Sequence, residues 1–128
     1  MQLLLDTHAL IWWLAADPSL SALASNAIAD PVNEVFVSAA SAWEIATKQR
    51  IGKLPQAALL AADVAGFVAA QGFSELPISI RDGQRAGALP GIHKDPFDRI
   101  LVAQAIAADM TIVSNDRVLG GYGVPLLW

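Results

Sequence analysis

"LLLDTHAL", residues 3–10, decides how the rest of the chain reads. Leu3, Leu4 and Leu5 read as a short buried strand, and the run stops on a carboxylate, Asp6, followed at once by Thr7 and His8. Any polar residue can end a strand, so Asp6 alone says little. Its meaning depends on whether other acids hold comparable places further along.

Working outward, short apolar runs alternate with helical stretches. Helical patterns cover 8–15, interrupted by Pro18, and 19–29, stopped by Asp30-Pro31. Val35-Phe36-Val37 is a second strand, followed by a helix over Ala39–Arg50 that Gly52 ends. The spacing of Leu60, Val64, Phe67 and Val68 predicts one helix over 56–71, capped by Gly72. A short strand falls within 73–78 and a helix over Ile80–Ala88. The helix over Pro96–Ala108 is nearly apolar all round from Ile100 onward, as expected of an enclosed helix. Thr111–Val113 is a strand, and Leu126-Leu127, just after Pro125, reads as a last one at a sheet edge, where proline is tolerated. Strands alternating with helices imply βαβ units, a parallel sheet and helices on both faces. In such folds ligands sit beyond the carboxyl ends of the strands.

The 128 residues fit one domain, 1–128, able to bury a real core. Apolar residues make up 55% and charged residues 16%, but the longest stretch free of Asp, Glu, Lys and Arg, residues 18–29, is too short to span a bilayer. No membrane association is expected. Asp6 breaks the first apolar run too early for a secretory leader. The absence of cysteine excludes disulfides, thiolate zinc sites and cysteine nucleophiles, and fits a cytoplasmic location. The net charge of −4 does not favour nucleic acid through bulk attraction, so such a role requires a local basic patch or metal ions. Lys48, Arg50 and Lys53 form the one short basic cluster. Its favoured reading is a solvated helix carboxyl end, where cations suit the dipole, with a phosphate contact as the alternative.

The acids then fall into a pattern. Asp6 follows the first strand, and Asp116 follows the strand at 111–113 through Ser114-Asn115. Glu44 lies in the first half of the helix after the second strand, and Asp95 and Asp98 bracket a helix start in "KDPFDR". In a parallel sheet all of these lie near its carboxyl edge. Each also has a local reading. Asp6 suits a helix N-cap. Glu44 stands at capping-box spacing from Ser41 and at ion-pair spacing from Lys48. Asp95-Pro96 reads as a cap followed by proline at the first helical position, and Asp116 as a turn acid. The joint pattern favours convergence. Two carboxylates at ~5 Å repel by on the order of 3 kcal/mol at an effective dielectric of ~20. Several such pairs rival the ~5–15 kcal/mol stability of a whole domain. Such a pocket takes up protons or binds cations. Oxygen-only donors favour hard ions, Mg²⁺ or Mn²⁺, which can activate water and neutralise a phosphodiester.

Four stretches, "LLLDTHALIWWL", "SAASAWEIATKQRIGKL", "HKDPFDRILVAQAIA" and "TIVSNDRVLGGYGVPLLW", together resemble the PIN-domain nucleases, and within them the VapC toxins of VapBC toxin–antitoxin modules. The resemblance spans essentially the whole chain. It implies a three-layer α/β/α domain around a central, mostly parallel sheet. It implies a metal-dependent endoribonuclease using Mg²⁺ or Mn²⁺, an RNA substrate, a VapB-type antitoxin and a homodimer. By motif, the catalytic and metal-holding acids map to Asp6, Glu44, Asp98 and Asp116. Thr7 and Ser114 match small hydroxyl positions that orient the cluster, with Asp95 and Arg99 as supporting candidates. Relatives' antitoxins reach into the acidic cleft with a basic side chain. Of the adjacent Trp12 and Trp13, one is expected in the core and the other on an antitoxin or dimer surface. His8 and His93 are candidate acid–base groups, though a structural role is the favoured reading of each.

A haloacid-dehalogenase-type phosphotransferase also begins with a strand ending in Asp. It would place a second Asp two residues on, where His8 stands. A receiver domain would want a lysine after a late strand, and a dinucleotide-binding domain a glycine fingerprint after the first. Neither is present. The remaining alternative is a catalytically silent PIN-fold module that binds RNA or protein; the intact acids count against it.

Overall fold

The computed structural model describes residues 1–91 and 95–128. Strands β1 (Gln2–Leu5), β2 (Glu34–Ser38), β3 (Ser74–Leu76), β4 (Thr111–Val113) and β5 (Leu126–Leu127) form one sheet in the order β3-β2-β1-β4-β5. Every pairing is parallel. β5 is an edge strand, as Pro125 leads one to expect.

The central position of β1 explains its unbroken leucines. Successive side chains on a strand point to opposite faces. Leu3 and Leu5 enter one core with Leu10, Ile28, Val35, Val37 and Ile45, while Leu4 enters a second core with Leu101, Val102, Ile112 and Leu119. All three leucines are fully buried, each contributing about 1.5–3 kcal/mol of apolar burial. The first core is supplied largely by helices α1 (Thr7–Leu14), α2 (Ala22–Ala29) and α3 (Ala39–Arg50), the second largely by α7 (Pro96–Ala108). The result is helix, sheet, helix in three layers. Between β1 and β4 the strand order reverses direction. A crevice forms there beyond the carboxyl ends, and Asp6 and Ser114 are the residues that leave those two strands.

Three expectations need correction. The single helix over 56–71 is broken into a 3₁₀ turn (Pro55–Ala57), α4 (Ala58–Ala62) and α5 (Val64–Ala70). Asp63 stands at the break, outside helical geometry, and its carboxylate accepts from the Gly66 amide at 3.0 Å to start α5. A side chain at residue 66 would meet that carboxylate at 2.2 Å, so Gly66 permits the cap. Leu60 and Val68 are buried as the helical face predicted, but Phe67 is exposed. Second, α7 is enclosed only over Leu101–Ala105; Ile106 is half exposed. Third, Ser41 does not cap α3. Ser38 does, accepting from the Ala40 amide at 3.0 Å, and this frees Ser41 for a contact inside the molecule. Helix α6 (Ile80–Ala88) forms as expected, with a capping box between Ser79 and Asp82. Among the described residues no helix is long and apolar enough to cross a membrane.

Candidate functional site: an acidic cleft at the carboxyl edge

Asp6 is fixed from both sides. Its amide donates to the Val113 carbonyl at 3.1 Å, continuing the β1–β4 ladder past the strand end. Its Oδ1 accepts from the Ala9 amide at 2.7 Å and starts α1. The side chain is buried. Burial pushes its carboxyl above the ordinary 3.8, against the pull of the Ser114 hydroxyl, the Ala9 amide and His8; the nearby charge of Glu44 adds to the rise.

Glu44 comes to the same place from α3. Its Oε1 accepts from the Thr7 hydroxyl at 2.6 Å, and Thr7 Oγ1 lies 3.1 Å from the Ser41 hydroxyl, so three buried side chains lock α1 to α3. Its Oε2 accepts from the Lys48 ammonium one helical turn on. Burial alone would depress the Lys48 ammonium. The hydrogen bond and charge of Glu44, with the charges of Asp95 and Asp98, outweigh it and hold the ammonium above its ordinary 10.5.

Asp95 and Asp98 open α7. Asp95 Oδ1 accepts from the amides of Phe97 at 2.9 Å and Asp98 at 3.3 Å, with Pro96 at the first helical position. Asp116 caps the 3₁₀ turn Arg117–Tyr122, its Oδ1 accepting from the Val118 amide at 3.0 Å. The Asp116 amide in turn donates to the Ser114 hydroxyl at 3.0 Å. Asp6, Glu44, Asp95, Asp98 and Asp116 all line one open cleft of about 410 Å³, together with Thr7, Lys48 and Asn115.

This donor set suits a hard divalent cation in kind, because it is all carboxylate and hydroxyl oxygen. Capping consumes one oxygen of Asp6, Asp95 and Asp116, and a carboxylate has about four lone-pair sites, so capacity remains for a further partner. In position the acids are less advanced. Among the described residues no three are already gathered closely enough to hold one ion. They share a cleft but stand apart, and loading would require their side chains to turn inward.

Other sequence candidates lie elsewhere. Arg99 adjoins Asp98, but its guanidinium turns to the end of α6 and donates to the carbonyls of Ala86 at 3.0 Å and Leu89 at 2.6 Å. It satisfies carbonyls that a helix end leaves open and does not line the acidic cleft. Of the basic trio only Lys48 lines the cleft. His8 is exposed at the cleft's edge, its ring against Trp12 at 5.4 Å. His93 lies outside the described residues. Trp12 and Trp13 do not divide into core and surface. Both are half buried against the same core, Trp12 edge-on to Trp128 and Trp13 donating to Gln71 at 2.9 Å. The exposed indole is Trp43, beside Glu44, packed edge-on against Phe97 at 4.7 Å. Its place immediately before Glu44 was the available signal.

An all-parallel α/β/α sheet with carboxylates lining the cleft at its switch point defines a class of α/β proteins with an acidic cleft. The PIN domain family matches residues 3–123, and the chain belongs to that family. No curated protein sequence matches it. Among solved structures it is similar to VapBC2 from Rickettsia felis bound to a fragment of promoter DNA (TM-score 0.69, 17% identity, covering 98% of this chain and 97% of that one). It is similar also to VapBC-1 from nontypeable Haemophilus influenzae (TM-score 0.64, 12% identity, 98% and 96%). A third likeness is to FitAcB from Neisseria gonorrhoeae (TM-score 0.61, 17% identity, 97% and 95%). At these identities the likeness establishes the fold.

Proposed function

We propose that this chain is a VapC-type toxin: a metal-dependent endoribonuclease, acting as one domain in the cytoplasm and held in check by a cognate antitoxin. The observation that carries the reading is the convergence of five carboxylates, from separate parts of the sequence, on one cleft at the carboxyl edge of the sheet. The likeness to VapBC2, VapBC-1 and FitAcB supports the antitoxin as partner. RNA as substrate and a homodimer complete the proposal.

Asp6, Glu44, Asp98 and Asp116 are the residues to hold the ion, with Asp95 beside them. Mg²⁺ or Mn²⁺ there would supply Lewis-acid polarisation of the phosphodiester and a more acidic water. The protein's own part is placement. The β1–β4 ladder and the Ala9 amide fix Asp6. Thr7 and Ser41 orient Glu44, and the Ser114 hydroxyl ties Asp116 to Asp6. Asp6→Asn and Asp98→Asn should each abolish RNA cleavage in Mg²⁺ or Mn²⁺ while leaving the circular dichroism spectrum unchanged. Undiminished cleavage by both would sink the reading, and tight metal-independent RNA binding without products would favour the silent module.

A further inference from the structure

Lys48 is more than the partner of an exposed helical ion pair. Such pairs, both members in water, are worth little. Here one member, Glu44, is buried, and the ammonium lies within a cleft that also holds Asp95 and Asp98. Both Glu44 oxygens are engaged, one by Thr7 and the other by Lys48. A divalent ion on Glu44 would therefore share a carboxylate with an ammonium, and the two positive charges would repel.

We propose that Lys48 is the resident second cation of the cleft: it occupies one oxygen of Glu44, Oε2, and the cleft takes one divalent ion in place of two. The inference rests on the nuclease reading and refines it. In two-metal nucleases the ions stand about 3.5–4 Å apart and clamp both sides of the phosphate. Lys48 already supplies one positive charge within the cleft, on an oxygen of Glu44. A lysine ammonium is a compact point charge suited to a phosphate oxygen, so the same group neutralises the acids at rest and faces the substrate in use.

The test is calorimetric titration of the purified chain with Mn²⁺, for wild type, Lys48→Met, Lys48→Gln and Lys48→Arg. Wild type and Lys48→Arg should bind one ion per chain. Lys48→Met and Lys48→Gln should bind a second ion, or bind the first at least about tenfold more tightly, because removing a unit positive charge from beside the carboxylates relieves repulsion. Lys48→Gln keeps a donor to Glu44 without the charge, so it decides the matter should Lys48→Met fail to fold. Stoichiometry and affinity unchanged in the uncharged variants, or two ions bound by wild type, would overturn the inference while leaving the nuclease reading standing. Wild type that binds no Mn²⁺ and cleaves no RNA would overturn both.

Discussion

Thr7→Val tests the junction that holds the acidic cleft in shape. Valine keeps the β-branched outline of threonine and removes only the hydroxyl. In the structure that hydroxyl donates to Glu44 Oε1 at 2.6 Å between two buried side chains. A hydrogen bond to a charged group contributes about 1.5–3 kcal/mol, and a buried acceptor left unmet adds to the cost. Ser41, 3.1 Å away and fully buried, loses its partner in the same step. A loss of about 2 kcal/mol or more is expected. With an unfolding entropy of ~2.1 cal/mol/K per residue, 2 kcal/mol lowers the melting temperature of a chain this size by roughly 7 °C. Differential scanning calorimetry of wild type, Thr7→Val and Thr7→Ser reads this directly, with Thr7→Ser melting close to wild type because the hydroxyl is restored. A Thr7→Val melting point within about 1 °C of wild type would mean the bond contributes nothing, and the α1–α3 junction would need another explanation. If the bond also orients Glu44 for the proposed chemistry, Thr7→Val should cleave RNA more slowly at temperatures well below its melting point.

Two further predictions follow from contacts outside that junction. Burial holds the Asp6 carboxyl above its ordinary 3.8, so the folded protein keeps a proton over a pH window in which the unfolded chain has released it. Metal-free protein therefore loses stability from this group as pH rises from about 3.8 through the folded value. Asparagine caps helices as well as aspartate, so metal-free Asp6→Asn should gain on wild type as pH is raised from 4 to 7 in thermal melts; a difference independent of pH would refute the burial argument. Arg99→Met keeps the alkyl stem but strips the donors from the α6 carbonyls. It should cost about 1.5–3 kcal/mol in urea unfolding, and an unmoved midpoint would show that the clamp is idle.

What could be read from the sequence divides along the range of the interactions involved. The strands, the α3 and α7 boundaries and the edge position of Leu126–Leu127 depend on local pattern, and all were legible. The edge at which the acids collect was legible too, because a parallel sheet has one carboxyl edge and Asp6 and Asp116 follow its strands. The break at Asp63 was not, because apolar spacing alone continues through it, and only the fit of the Asp63 carboxylate over Gly66 stops the helix. The Thr7–Ser41 contact joins residues 34 apart in sequence, beyond any periodicity argument. Arg99 misleads for the opposite reason. Its neighbour Asp98 faces the cleft, but consecutive positions on a helix point about 100° apart, and the guanidinium is claimed by α6.

Capping a helix and holding an ion are compatible roles for these acids. Asp6, Asp95 and Asp116 each spend one oxygen starting a helix or turn. An N-terminus of a helix carries partial positive charge, so the backbone offsets part of the mutual repulsion that would otherwise drive the acids apart. Glu44 lies within a helix rather than at its start, and so lacks that help. It has a hydroxyl and an ammonium instead. Every acid of the cleft for which a contact is described is thus held by a donor of the protein's own making. A cleft so provided can fold without metal, and its acids can remain in place until an ion draws them inward.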